Sequence, residues 1–213
     1  MTYGEIKIEA LRLMFASNGT DIHPDDLSVY EQDESYRFYL IGMPESLNRC
    51  FSRIEERRVL PDRTRALRRE EGSIGGAFIR FDLDSLIPDL FDIERVVYED
   101  GEGEYNGSAP YEREGNTLVL PIFDDGVSYS VVYKPSIKRV RSFTESSAEL
   151  GIPEGIASII PYYLKGDLFR DDEPDEANEA RLWFEQALDE IGMKRDKVQG
   201  HVKSVYSQEG FVI

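Results

Sequence analysis

The chain holds one cysteine, Cys50, and two histidines, His23 and His201, among 213 residues. A single thiol excludes an internal disulfide and fits a reducing compartment, or a particle assembled in one. Within an apolar helical face Cys50 reads as a small core residue rather than a nucleophile. The histidines lie near opposite ends, and neither has another His or Cys at metal-ligand spacing. A histidine zinc site or a Cys–His nucleophile pair therefore has no basis. Long apolar runs are also missing, so no segment reads as a membrane span. Glu5, Lys7, Glu9 and Arg12 break up the first residues and exclude the apolar stretch of a secretory signal. Positive charge is scarce: 25 basic against 42 acidic side chains give a formal charge of −17, which argues against a surface built to bind nucleic acid. Any DNA contact must be local. No GxSxG elbow, P-loop or GxGxxG is present, and the glycines of "SIGGAF" mark a turn or bulge rather than a phosphate cradle.

What is present is ordinary globular composition, 40% hydrophobic and 11% aromatic. Thr2 with Glu5 forms a capping box, each side chain satisfying a free backbone N–H at a helix start. The first helix follows, with Tyr3, Ile6, Ala10, Leu13 and Met14 at the helical period and Ile8, Leu11 and Phe15 widening the stripe. After a loop around Asn18 to Asp21 the chain turns helical again near Ser35. Gly42 and Pro44 predict an interruption or kink there, because proline removes a donor and clashes one turn back. Leu47, Cys50, Phe51 and Ile54 carry the stripe onward, and it fades into "RIEERRVLPDRTRALRREEG".

Between Gly75 and Pro135 the period changes to two. Val127, Tyr129, Val131 and Tyr133 alternate with Ser128, Ser130 and Lys134, as in a strand with one face on a core. Ala77, Ile79 and Phe81, then Phe91 to Glu99 and Thr117 to Leu120, predict further strands. Asp100-Gly101, Glu114-Gly115-Asn116 and Asp125-Gly126 mark turns. From Pro153 the helical period returns, through Ile156, Ile159, Ile160, Tyr163 and Leu164, then Ala177, Ala180, Phe184, Ala187, Leu188 and Ile191. The expected class is α+β: a bundle of N- and C-terminal helices with a small antiparallel β-sandwich or barrel inserted. The expected divisions are residues 1–72 for the first helices, 73–140 for the β insertion, 141–193 for the last helices and 194–213 for an extended arm.

The acidic burst in "IIPYYLKGDLFRDDEPDEA" has a structural reading. Lys165 and Arg170 offset carbonyls at one helix end, Pro174 suits the first turn of the next, Asp172 or Glu173 caps it, and Asp175 and Glu176 meet its positive end. A calcium loop would instead place acids at alternating positions around a glycine. Asp100, Glu102 and Glu104 come closer to such an array, yet read as a solvated hairpin loop. No metal or cofactor is expected. Carboxylate pairs such as Asp82 with Asp84 or Asp124 with Asp125 arise by chance among so many acids, and no enzyme is expected.

The run "LGIPEGIASIIPYYLKGDLFRDDEPDEANEARLWFEQALDEI", preceded by "SYSVVYKPSIKRV", resembles the carboxyl-terminal part of tailed-phage head–tail connector (adaptor) proteins. The shared pattern is a strand ending in tyrosine and proline, a polar segment, a Pro-Glu opening an apolar helix, an acidic joint and an alanine-rich helix with an aromatic. It is strongest over residues 127 to 192. The resemblance implies a virion structural protein, present in the host cytoplasm during assembly. It would form a homo-oligomeric ring on the portal protein and meet a tail or stopper protein, with DNA passing only incidentally through the channel and no membrane contact. A different class stays open: a β-sandwich on a helical bundle that binds carbohydrate or protein, with Tyr98, Tyr105, Tyr111, Tyr129 and Tyr133 as an aromatic platform.

Two stretches are candidate interfaces. Arg57, Arg58, Arg63, Arg65, Arg68 and Arg69 sit in a locally basic segment of an acidic chain. They read either as a solvated helix end with internal ion pairs or as a contact to an acidic face of a neighbour. The tail carries Val205, Tyr206 and Phe211 among polar residues, too sparse for a core helix, and reads as an arm that docks on another subunit or folds back on its own bundle.

Overall fold

A computed structural model describes residues 1–15, 22–23, 27–99, 105–122 and 127–206, of which 99, 105–106 and 195–206 are described in backbone only. The chain divides into two compact units, a helical one of Met1–Val59 with Ile137–Ile213 and a β unit of Leu60–Ser136.

In the helical unit, α1 (Tyr3–Phe15) starts at the capping box: Thr2 N–H donates to Glu5 at 2.7 Å, and Glu5 N–H to the Thr2 hydroxyl at 3.2 Å. The short α2 (Leu27–Tyr30) precedes α3 (Glu34–Glu56), whose N-cap Asp33 accepts from Ser35 N–H. Gly42 and Pro44 do not divide α3, which runs unbroken for 23 residues. Leu40, Met43, Leu47, Cys50, Phe51 and Ile54 are buried on both sides of the proline, so burial of the stripe outweighs the lost hydrogen bond. Gly42 serves close packing: a Cβ there would lie 2.9 Å from Leu168. After the loop from Ile137, α5 (Glu154–Ala157) and α6 (Ile160–Leu168) lead through the acidic turn to α7 (Pro174–Tyr206). Helix α6 is central and packs against α1, α3 and α7. The N- and C-terminal helices thus share one core, as the sequence predicts.

The β unit is built of two four-stranded antiparallel sheets. The first, in order β1-β8-β4-β5, contains β1 (Arg63–Leu67), β4 (Leu90–Glu99), β5 (Tyr105–Ser108) and β8 (Ser128–Pro135). The second, in order β2-β3-β7-β6, contains β2 (Ser73–Gly75), β3 (Phe78–Asp82), β6 (Glu112–Glu114) and β7 (Thr117–Pro121). A single turn, α4 (Leu83–Leu86), follows β3. Leu67, Val96, Tyr129, Val131 and Tyr133 of the first sheet share a core with Ile79, Phe81, Leu118 and Leu120 of the second. The Tyr129 hydroxyl donates to the Pro121 carbonyl at 2.6 Å, tying β8 to β7 across that core. Gly115 turns β6 into β7 with φ of 62°, as its place in Glu114-Gly115-Asn116 predicts. The Asp100-Gly101 and Asp125-Gly126 turns lie outside the described residues, although β7 and β8 belong to different sheets and do not pair as a hairpin.

Two boundaries differ from the sequence expectation. The β unit begins at Leu60, so the edge expected near Gly72 falls inside it, and it ends at Ser136 rather than 140. Strand β1 carries no alternation that pattern analysis can find, because Leu67 is its one buried residue. Nor are residues 194–206 an extended arm, since α7 continues as helix to Tyr206. A missing apolar stripe shows only that nothing buries that stretch; lysine, arginine and glutamine still propagate a helix. Residues 207–213 lie outside the described residues.

Candidate interaction surfaces

The arginine stretch is divided between the units. At the end of α3, Arg57 pairs with Glu185 at 3.1 Å and Asp189 at 3.0 Å, both on α7, while Arg53 holds Glu185 with two hydrogen bonds of 2.9 Å. These bonds, Arg53 first, hold the Glu185 carboxyl below its ordinary range. Arg58 has φ of 55°, the left-handed conformation that closes the helix. In the β unit Arg63 pairs with Asp89, and Arg65 with Glu71 at 2.8 Å. Arg68 donates its backbone N–H to Glu71, and Arg68 and Arg69 are exposed. Arg57, Arg63 and Arg65 thus hold carboxylates of their own chain, which is the internal-pairing reading of this stretch. Val205 and Tyr206 lie on the last described turn of α7, and Phe211 lies outside the described residues.

The acidic joint is woven into the helical unit. Asp172 accepts from the Tyr39 hydroxyl at 2.6 Å; burial first, and then this bond and the charge of Asp172, push that phenol up to about 12. Asp167 pairs with Arg49, and Glu176 with Lys165 at 2.6 Å. Lys165 also donates to the Leu13 carbonyl at 2.8 Å, so it serves the end of α1 rather than that of its own helix. Among the described residues no three His, Cys, Asp or Glu side chains are grouped to hold a metal; Asp100, Glu102 and Glu104 lie outside them. Cys50 is fully buried, and burial pushes its thiol well up.

Of the tyrosines considered as a platform, Tyr129 and Tyr133 point into the sandwich core, and Tyr98 packs against it. Tyr133 donates to Asp89 at 3.0 Å. Tyr111 is exposed, and the side chain of Tyr105 lies outside the description.

Sequence patterning misses a different set: Phe38 and Ile41 on α3, Leu182 and Trp183 on α7, and Phe143 in the loop after β8 all stand exposed. Their signal is adjacency. Phe38-Tyr39, Leu40-Ile41 and Trp183-Phe184 place neighbouring apolar side chains about 100° apart on a helix, so one stripe cannot bury both.

Among the described residues, the hollows of the helical unit include two with polar and aromatic walls. One, of about 530 Å³, is lined by Lys138, Arg139, Arg141, Phe143 and Glu149 among others. Arg139 there reaches the buried Glu55, which also accepts the Ile137 N–H at 2.6 Å. The other, of about 290 Å³, is walled by Leu13, Tyr162, Lys165, Glu176, Glu179 and Trp183. Tyr162 and Trp183 stack there at 3.8 Å with 27° between ring planes. No helix among the described residues is long and apolar enough to cross a membrane. In the comparisons with known proteins, no family model and no curated sequence matches the chain.

Proposed function

We propose that the chain is a non-enzymatic structural protein of a phage or prophage virion, a head–tail adaptor whose ring docks on the portal and receives a tail or stopper protein. The observation that carries this reading is the succession after residue 127. Strand β8 ends in Tyr133 and Pro135, a polar loop follows, Pro153-Glu154 opens α5 and α6, and the acidic turn leads into α7 with Trp183. That is the succession on which the resemblance to adaptors rests. The large exposed apolar residues of the helical unit support it further, since such residues suit burial in an assembly. The inward tyrosines weigh against an aromatic platform for sugar.

The test is docking on the portal protein encoded in the same phage or prophage region. Saturable co-sedimentation, with rings visible by electron microscopy, is expected; no binding at any salt concentration removes the reading. Replacing Arg68 and Arg69 by Gln tests the arginine stretch within it, and weakened portal binding with the fold retained by circular dichroism is expected. Arg65 is spared, because its side chain holds Glu71 in an ion pair of 2.8 Å.

A further inference from the structure

The loop after β8 is held to the first turn of α1: Tyr3 N–H donates to the Ala148 carbonyl at 2.9 Å, and Gly4 N–H to the Ser146 carbonyl at 2.7 Å. It presents Phe143, 75% exposed, with the Arg141 guanidinium 5.8 Å from the ring centroid. Neither Arg141 nor Lys138 makes an ion pair among the described residues. The stacked Tyr162–Trp183 hollow lies at the other end of α1, against Leu13. Its lysine is already bound to Glu176 and to the Leu13 carbonyl. Exposed Glu179 makes no ion pair among the described residues, and Trp183 keeps 42% of its surface open.

We infer that Arg141 and Phe143 of one copy seat in the Tyr162–Trp183 hollow of the next, with the guanidinium against Glu179 and the open face of the indole. The chemistry matches at each point. A carboxylate and an aromatic face together favour a planar cation over an ammonium, and the neighbouring ring buries apolar surface. At about 290 Å³ the hollow suits one or two side chains and is small for a cofactor. Tyr3 and Leu13 are about 15 Å apart along α1 at about 1.5 Å per residue, so loop and hollow belong to opposite ends of that helix. Patches on opposite ends let each copy offer its loop to one neighbour and its hollow to another, a heterologous arrangement that closes into a ring or continues as a filament. The inference rests on the ring reading above for its partner being a second copy, and uses none of the arginines proposed to meet the portal.

Trp183 is the chain's one tryptophan, so its emission reports on this hollow directly. Full-length protein is followed by sedimentation and by Trp183 fluorescence over rising concentration. Self-association accompanied by a blue shift is expected. Arg141→Glu and Glu179→Arg should each weaken association by about tenfold or more, and the chain carrying both should recover it. Phe143→Ser should abolish the blue shift while leaving the monomer's melt unchanged. A parent that stays monomeric, an emission that ignores concentration, or single variants that associate like the parent overturn the contact. Portal docking is measured separately. Docking without a change at Trp183 keeps the adaptor and removes this contact; association without docking does the reverse.

Discussion

Ser46 and Glu55 are two buried polar residues of α3 with opposite standing. The Ser46 hydroxyl is fully buried and has no hydrogen-bond partner among the described residues, so it contributes only its desolvation. Ser46→Ala is expected to raise stability by about 1 kcal/mol in urea unfolding, helped by alanine's helix propensity. Glu55 is 3% exposed and satisfied twice, by Ile137 N–H and Arg139. Glu55→Ala strands the buried Ile137 N–H, while Arg139 keeps solvent and the Asn48 carbonyl, and should cost about 2 kcal/mol in the same assay. Glu185 adds a pH dependence. Its folded pKa lies below the ordinary 4.5, so its stabilisation is full above about 4.5 and is lost as pH falls through the depressed value. Glu185→Gln should therefore melt below the parent at pH 7, and the gap should close in acid.

Helix α6 is wedged against its neighbours by glycine. A Cβ on Gly166 would stand 3.0 Å from Arg181 Cβ and 3.1 Å from the Ala177 carbonyl, both on α7. Gly166→Val is expected to lower stability by about 2 kcal/mol, because backbone cannot yield as a side-chain tip can. Gly155 in α5 has nothing within 4 Å of such a Cβ, and Gly155→Ala should gain about 0.5 kcal/mol. Thermal melts of the pair separate crowding from intrinsic propensity. The same contrast shows what the sequence makes legible. Capping at Thr2–Glu5 and the stripes of α1 and α6 are local periodic facts, and each corresponds to the element found; the alternation of β8 marks the strand but not its burial, since Ser130, Val132 and Lys134 are buried as well. Gly42 and Pro44 display their backbone cost in sequence but not the approach of Leu168 that makes glycine useful. Strand β1 is defined by pairing with β8, 62 or more residues on, and no window along the chain contains that partner. The Tyr162–Trp183 hollow is invisible for a similar reason: it needs α1, α6 and α7 side by side.

The β unit enters and leaves through neighbouring strands, with Arg63 opposite Tyr133. It has its own core drawn from both sheets. A fragment of residues 60–136 is therefore expected to fold alone and melt cooperatively by circular dichroism; a gradual, non-cooperative melt would show that it depends on the helices. The adjacency also governs how the chain responds to mechanical load. On either side of the insertion, Glu55 binds Ile137, and Asn48 both donates to and accepts from Val140, so the helical unit clamps the chain where it departs and returns. Tension drawn across α1 and α7 is carried by the packing of α6 against both and by those hydrogen bonds, and bypasses the sandwich while they hold. Once they yield, β1 and β8 are pulled apart from one shared end, and their ladder unzips a bond at a time instead of resisting in shear.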